Sequence, residues 1–297
     1  MDELEQIDTP YGRFLSFPND LITGHLRQYG AHQRNELAML LAFTRPGDTI
    51  IDVGANIGTY AIPLAARATG NGHVYAFEAD EDIFRVLQKN IALNECENAT
   101  AVSGLVGRTS GAYRKSRPEG NWGGTSFELD EPGADSGTPI ILIDDWCRSN
   151  IEPGEAVDII KIDVEGMDFD ALLSCEDTIR TYKPVVYIEI ARNQLAKHGH
   201  SPADVGTLLA GMGYHFFRNI GERNSANDVF VVARFPRVLV SGVGEGDLLA
   251  VHAASSRYPA DAKSRLYMIG WYMLRGMHSL LRRISALGSG TSFRARS

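Results

Sequence analysis

The chain has 297 residues, of which 44% are hydrophobic and 22% are charged, so it can bury a large core and is not expected to be disordered. Its net charge of −8 argues against general affinity for nucleic acid, because non-specific binding needs a basic face that neutralises phosphates. The three cysteines are odd in number and widely spaced, which argues against a disulfide framework and against a zinc site.

The sequence shows no targeting signal. Its first residues are acidic and lack a basic segment followed by an apolar run, so no signal peptide is predicted. No apolar run approaches the length that spans a bilayer. We therefore expect a cytoplasmic protein whose partner is a small or neutral molecule and not a nucleic acid.

Residues 1–47 precede the first strand of the predicted main domain. The segment from Tyr11 to Ile22 mixes aromatic and polar residues and is interpreted as a small hairpin or an extended cover. From His32 to Thr44 apolar residues recur at helical spacing, and Pro46 ends the predicted helix. We expect this helix to cap the cleft that the following elements form.

The stretch from Thr49 to Ala61 (TIIDVGANIGTYA) organises the chain. A short apolar run up to Val53 is typical of a strand that is buried on both faces, and Tyr60 to Ala68 continues as a helix. Gly54 and Gly58 in the intervening turn let a ligand approach the main chain closely. We therefore predict a small-molecule site at this turn.

A dinucleotide would require the fingerprint G-x-G-x-x-G, with its pyrophosphate at the helix N-terminus. Here Asn56 and Thr59 occupy the second and third glycine positions, and Asp52 would place a carboxylate close to the phosphates. S-adenosyl-L-methionine carries a sulfonium and an amino group near such a turn and no phosphate, so an acidic strand end attracts it. We predict this cofactor. The alternatives are a nicotinamide-dependent (NAD) oxidoreductase and a tight turn that binds no ligand.

The next apolar run, from His73 to Phe77, leads into Glu78. An acid at this spacing from the turn is where nucleoside-binding α/β domains hold the ribose hydroxyls. A helix is predicted from Glu81 to Leu93, and a third strand from Ala99 to Val106 ends where such a fold approaches the adenine. The predicted cofactor-binding residues are Asp52, Gly54, Ala55, Asn56, Gly58, Thr59, Glu78, Ala79, Ser103, Gly104 and Asp163.

Residues 107–139 form a predicted insertion rich in glycine, serine, proline and charged residues. They include Tyr113, Trp122 and Phe127 and show no helical periodicity. Loops of this length inside compact domains are usually functional lids or disordered. The aromatic residues favour a lid or a short hairpin over the acceptor site.

Carboxylates follow the next two predicted strands. A buried strand from Val157 to Ile162 precedes Asp163 and Glu165, and the strand from Val185 to Ile190 carries Glu189 near its end. Ligands of open parallel sheets lie beyond the carboxyl ends of the strands. We therefore predict that Asp163, Glu165 and Glu189 form the catalytic site, with one of them taking the acceptor proton.

Two other assignments of these side chains stay open. Asp163 and Glu189 could hold Mg²⁺, which prefers hard oxygen ligands, although no metal site is predicted. Histidine is the alternative base, and His32 is the next candidate after the carboxylates. The histidines on less constrained segments are His25, His32, His198 and His200.

The end of the main domain, which we place at residues 48–235, is predicted to be a helix and a hairpin. Ser201, Pro202 and Asp204 form a helix start. Two strands follow, Tyr214 to Arg218 and Val229 to Ala233, joined by a polar turn. The alternation of strands and helices before them predicts a doubly wound α/β fold.

Residues 236–297 are predicted to be a linker and a helix. Gly242, Gly244 and Gly246 suggest the linker, and an apolar stripe over residues 262–287 predicts a basic amphipathic helix. This helix could pack on the domain, form a homodimer or lie on an anionic membrane surface. The last option would place the protein at the inner membrane surface.

Six segments form a recognisable series: DVGANIGTY from Asp52, VYAFEAD from Val74, NIALN from Asn90, ILIDD from Ile141, IKIDVEGMD from Ile160 and PVVYIEI from Pro184. Their order and spacing resemble the FkbM-type family of S-adenosylmethionine-dependent methyltransferases. The resemblance implies the class I, Rossmann-like fold, which is a mostly parallel seven-stranded sheet with a C-terminal antiparallel hairpin. It also implies O-methylation of a carbohydrate, glycan or glycosylated secondary metabolite.

Two positions depart from the family pattern. Ala79 stands where the family usually has proline, and Asp168 stands where it usually has glutamate. Glu36 matches a glutamate that is common in the family, although an exposed helix glutamate is the favoured interpretation. A non-catalytic cofactor-binding or scaffold protein is the remaining alternative function.

Overall fold

The computed structural model describes residues 4–108, 113–118, 121–129, 139–152 and 154–259. The predicted basic helix at residues 262–287 lies outside these ranges. The strands, numbered in chain order, are β1 (Glu5–Thr9), β2 (Gly12–Ser16), β3 (Thr49–Val53), β4 (His73–Glu78), β5 (Ala99–Ser103), β6 (Leu105–Val106), β7 (Tyr113–Ser116), β8 (Ser126–Leu129), β9 (Ile140–Ile141), β10 (Ile159–Ile162), β11 (Val185–Ala191), β12 (Tyr214–Asn219), β13 (Val232–Phe235) and β14 (Glu245–His252).

The helices alternate with the strands over most of the chain, as the sequence pattern predicts. They are α1 (Leu21–Tyr29), α2 (Arg34–Phe43), α3 (Ala61–Arg67), α4 (Glu81–Leu93), α5 (Ile143–Asn150), α6 (Asp168–Ser174), α7 (Glu176–Tyr182), α8 (Arg192–Lys197), α9 (Pro202–Gly211) and α10 (Arg237–Val240). None of the helices in the described ranges has the length and apolar character needed to cross a bilayer.

Eight strands form the central sheet, in the order β5, β4, β3, β10, β11, β14, β12, β13. The first five pair in parallel. Strand β14 is antiparallel to both β11 and β12, and β13 is antiparallel to β12. The chain moves outward from β3 through β4 to β5, and later from β10 to β11 on the other side. The strand order therefore reverses between β3 and β10, which is where doubly wound sheets bind ligands.

The sheet differs from the predicted seven strands at its antiparallel end. The predicted hairpin is present, with Phe216 opposite Phe235, but β14 lies between it and β11. The chain after residue 235 is therefore part of the sheet rather than a linker, and the compact unit ends at Tyr258. The run from Leu248 to Val251 is fully buried. The sequence does not indicate this strand, because the glycines next to its apolar run predict a linker.

The N-terminal segment packs directly on the strand, turn and helix that organise the chain. Strands β1 and β2 form an antiparallel hairpin. It begins before the segment from Tyr11 to Ile22 for which a hairpin is one predicted form, and that segment holds β2 and the start of α1. Phe14 and Phe17 share a core cluster with Ile57 of the turn and Ile83 of α4. Because apolar burial stabilises this contact, the N-terminal segment belongs to the same compact unit as the sheet.

Two predicted elements are divided in the structure. The strand expected from Ala99 to Val106 breaks at Gly104, so that β6 leaves the main sheet and pairs with β9. The helix expected after Asp168 breaks at Cys175 into α6 and α7. The described part of the insertion contains the antiparallel pair β7 and β8.

Candidate active site

The turn after β3 is fixed by close packing against the end of β10. Gly54 has a φ of +77°, and a Cβ atom placed on it would lie 1.9 Å from the carbonyl oxygen of Asp163. Only glycine fits where these two strand ends approach each other. Asn56 has a φ of 51°, a left-handed conformation that asparagine tolerates better than most residues. The sequence therefore specifies the turn at two positions.

The backbone N–H groups of turn residues 54–58 all donate hydrogen bonds within the protein. Two reach the carbonyl oxygen of Phe77, and one reaches a carbonyl oxygen of the turn itself. The other two reach the side chains of Glu78 and Asn56. A pyrophosphate needs free N–H groups in such a turn. The arrangement therefore supports the prediction against a dinucleotide.

Glu78 ends β4 with its carboxylate held by the main chain. Its two oxygens accept hydrogen bonds from the N–H groups of Asn56, at 3.0 Å, and Asp80, at 2.8 Å. Each oxygen keeps a lone pair for a ligand, and the side chain lines the cleft although the residue is only 7% exposed. Burial raises the pKa of Glu78 to about 7, and the N–H donors oppose that rise. A carboxylate fixed in this way can accept bonds from two ribose hydroxyls.

A cleft of about 470 Å³ opens at the carboxyl ends of the strands. Most predicted cofactor residues line it together, namely Gly54, Ala55, Asn56, Thr59, Glu78, Ala79, Gly104 and Asp163. Three predicted residues do not line it: Asp52 lies beneath the turn, Ser103 is exposed beside it, and Gly58 packs against Leu87. The acceptor oxygens of Glu78, and a turn whose N–H groups are all bonded within the protein, fit S-adenosylmethionine, which carries no phosphate.

Asp52 is a buried ion-pair partner rather than a cleft residue. The register of β3 and β10 sets it opposite Lys161, whose Nζ lies 3.1 Å from Asp52 Oδ1 and 3.8 Å from Asp163 Oδ2. Both members of the pair are buried. Burial raises the pKa of Asp52, and the lysine charge opposes that rise. Sequence reasoning missed Lys161, which lies within an otherwise apolar strand.

The three predicted catalytic carboxyl groups lie together in the cleft. The negative charge of Asp163 and then burial raise the pKa of Glu189 to about 11, so Glu189 holds its proton at neutral pH. Burial and then Asp163 raise the pKa of Glu165 to about 7. Gln194 donates a hydrogen bond to Glu165. The carboxyl groups are therefore not equivalent, and the protonated form is favoured most strongly at Glu189.

Asp168 is one of the two positions at which the sequence departs from the family pattern, and it holds the loop that carries Asp163 and Glu165. Its carboxylate accepts the N–H groups of Val164 and Gly166, both at 3.0 Å. It is fully buried, which raises its pKa to about 6. Asp168 therefore holds the loop and does not line the cleft.

A second polar cluster, formed by Glu36, Arg223 and Asp247, lies next to the cleft. Glu36 is only 3% exposed, so the interpretation of it as an exposed helix residue is wrong. Burial and then the charge of Asp247 raise its pKa to about 8. Arg223 Nη2 lies 2.8 Å from Asp247 Oδ2, and Arg223 also lines the cleft. These contacts hold the chain between β12 and β13 at the cleft edge.

The described part of the insertion covers one side of the cleft. Trp122 lies between Phe17, whose ring is stacked on it at 3.6 Å, and Arg117, whose Cζ is 3.8 Å from the ring centroid. The backbone N–H of Trp122 donates to the side chain of Asp20 at 2.7 Å, and Arg117 pairs with Asp80. Trp122 itself lines the cleft. The insertion is therefore attached both to the N-terminal segment and to the start of α4.

Within the described ranges, no group of three or more histidine, cysteine, aspartate or glutamate side chains is arranged to hold a metal ion.

The comparisons with known proteins point to one class of enzyme. The family described as Methyltransferase FkbM domain matches residues 52–216, more than half of the chain. A curated relative, the tRNA (guanine(37)-N(1))-methyltransferase of Danio rerio, is 36% identical over 69 residues, 23% of this chain. That match spans only 14% of the relative's length.

Solved structures of methyltransferases are also similar to this chain. Methyltransferase FkbM from Methylobacillus flagellatus KT is 16% identical with a TM-score of 0.39, over 69% of this chain and 44% of that one. TYW2 from M. jannaschii, solved in complex with AdoMet, is 14% identical with a TM-score of 0.41, over 85% of this chain and 88% of that one.

Proposed function

Since the chain belongs to the FkbM methyltransferase family and is a methyltransferase that uses S-adenosylmethionine, we propose that it methylates a hydroxyl group of a carbohydrate, glycan or glycosylated secondary metabolite. The proposal rests on one observation, which is that the cleft has two different halves, one suited to the cofactor and one to the acceptor. One half has Glu78 beside a turn without free N–H groups. The other half has three carboxyl groups and Arg223.

The cofactor half binds through groups of the chain that are already in place. Glu78 accepts the ribose hydroxyls, and Gly104 with Leu105 forms the wall beside it. S-adenosylmethionine, when bound, supplies a methyl group on a positively charged sulfur. The carboxylate of Asp163 lies at the same end of the cleft as the turn, and opposite charges attract more strongly in a partly buried site than in water. The cleft therefore favours a cationic cofactor.

The acceptor half suits a polyhydroxylated, uncharged molecule. The protonated form of Glu189, which its raised pKa favours, can donate a hydrogen bond, whereas Asp163 offers acceptor oxygens, so the two together can bind adjacent hydroxyl groups. A polyphosphate backbone would meet the negative charge of Asp163. Alignment of the acceptor oxygen is the larger part of catalysis in a direct displacement.

A transfer assay with radiolabelled S-adenosylmethionine tests the proposal. The protein is incubated with extracts of its source organism that are fractionated into glycans, small glycosides and RNA. We expect label in a carbohydrate-containing fraction and its persistence after nuclease treatment. Label that appears only in RNA and disappears with nuclease would contradict the proposal. The Glu78→Ala variant is the matched control for cofactor-dependent labelling.

A further inference from the structure

Two histidines face each other on the wall of the cleft. His25 lies on α1, and His32 lies just before α2. Their Nδ1 atoms are 2.9 Å apart, and the rings are stacked with centroids 5.0 Å apart. Both side chains line the cleft. The pair joins two elements of the N-terminal segment at the place where they meet the site.

The Nδ1 contact requires one ring to donate and the other to accept. Burial and then the charge of His25 lower the pKa of His32 to about 3, and burial and then Arg223 lower the pKa of His25. Both rings are therefore neutral near pH 7. In that state one ring carries a proton on Nδ1 and the other carries it on Nε2.

The charged groups that face His32 come from several elements. Lys161 of β10 and Arg223 of the chain between β12 and β13 disfavour the imidazolium form. Asp163, which follows β10, favours it. In the described ranges no residue forms a hydrogen bond with His32 Nε2. That nitrogen is therefore available to a molecule in the cleft.

We propose that His32 is the base that takes the proton of the acceptor hydroxyl on Nε2, and that His25 is a positioning residue that fixes its tautomer. His25 Nδ1 accepts the Nδ1–H of His32, so that the Nε2 lone pair is directed to the acceptor. The inference rests on the proposed function, because it concerns the proton that O-methylation releases. It is an alternative to the prediction that Asp163, Glu165 or Glu189 takes this proton.

The proton balance of the step is simple. The acceptor oxygen gains a bond to the methyl carbon as the carbon–sulfur bond breaks, and it loses its proton to His32 Nε2. The resulting imidazolium is stabilised by the charge of Asp163 and keeps its Nδ1–H bond to His25. It then releases the Nε2 proton to water as the product leaves.

A base with a lowered pKa is sufficient for this step. The acceptor oxygen gains positive charge as it is methylated, and a hydroxyl on such an oxygen is a far stronger acid than an imidazolium. His32 also returns its proton to water readily because its charged form is disfavoured by burial. Two of the three carboxyl groups are less available, since the pKa of Glu189 is strongly raised and Glu165 accepts a hydrogen bond from Gln194; the third, Asp163, favours the imidazolium form of His32 by its charge.

The tautomer of His32 can be measured without any acceptor. Nitrogen-15 spectra of the histidine side chains are recorded near neutral pH, on the free protein and with S-adenosylhomocysteine, and are assigned with His25→Gln and His32→Asn variants. We expect His32 to carry its proton on Nδ1 and none on Nε2. An Nε2–H tautomer or an imidazolium at His32 would overturn the proposal, whether or not the proposed acceptor class is correct.

The catalytic role is tested with the acceptor that becomes labelled in the transfer assay. His32→Asn should lower kcat by about 10²-fold, the low end of the usual contribution of a general base because the pKa of His32 lies well below neutral, with unchanged affinity for S-adenosylhomocysteine by calorimetry. His25→Gln, which can still accept the Nδ1–H bond, should retain more activity than His25→Leu. His73→Asn is the control, because His73 lies at the opposite end of the sheet and bonds to Thr100. A kcat of His32→Asn within about threefold of wild type would refute the role.

Discussion

Replacing Glu78 with glutamine tests how the cleft binds its cofactor. The substitution keeps the size of the side chain but removes its negative charge and one of its two acceptor oxygens. It also sets an NH₂ group against one of the two backbone N–H groups, from Asn56 and Asp80, that hold the carboxylate. Both changes act on the group proposed to accept the ribose hydroxyls.

The expected loss of affinity follows from the bonds removed. Hydrogen bonds to a charged group contribute about 1.5 to 3 kcal/mol each, so Glu78→Gln should weaken binding of S-adenosylmethionine by about tenfold or more. The wild type should also depend on pH. The ionised form of Glu78 binds the hydroxyls, and its pKa is about 7 in the free protein. Affinity should therefore fall by about tenfold between about pH 8 and about pH 6 through protonation.

Calorimetric titration at several pH values separates these effects. Glu78→Gln should bind weakly and with little pH dependence, while the wild type binds more tightly at high pH. Glu81→Gln is the matched control, because Glu81 is an exposed residue that pairs with Arg85. Unchanged affinity in Glu78→Gln, or the same pH dependence as the wild type, would refute the assignment of Glu78 to the ribose.

Two further substitutions test the surroundings of the site. Lys161→Met leaves the fully buried Asp52 without its partner and should lower the free energy of unfolding by about 3 to 5 kcal/mol, as measured by urea denaturation. The double variant with Asp52→Asn should recover most of this loss, and no recovery would count against the ion pair. Glu189→Gln should keep turnover within about tenfold of wild type because Glu189 is already neutral, whereas a loss of about 10² or more in steady-state assays would identify it as the base.

The sequence predicts best what neighbouring residues determine. Gly54, Asn56 and Glu78 are recognisable because the turn and the strand end each depend on a few consecutive positions. The start of α9 is equally local, and the reciprocal bonds of Ser201 and Asp204 confirm it. The order of strands and helices follows from their hydrophobic periodicity.

The features that the sequence does not reveal depend on contacts between distant segments. The Lys161 pair with Asp52 requires the register of two strands, and the burial of Glu36 requires the chain that carries Arg223 to pack over α2. The strand β14 was hidden because glycines surround its apolar run. The contact of His25 with His32 spans only seven residues, but it depends on the turn between α1 and α2, which the sequence pattern does not specify.

The chemical bond formed in the product tests the central claim most directly. The protein is supplied with S-adenosylmethionine that carries a carbon-13 methyl group, and the labelled product is isolated and its methyl carbon examined by nuclear magnetic resonance. The account predicts a methyl carbon bonded to oxygen in a carbohydrate-containing molecule. A methyl group on nitrogen or carbon, or no labelled product from any fraction of the extract, would contradict it.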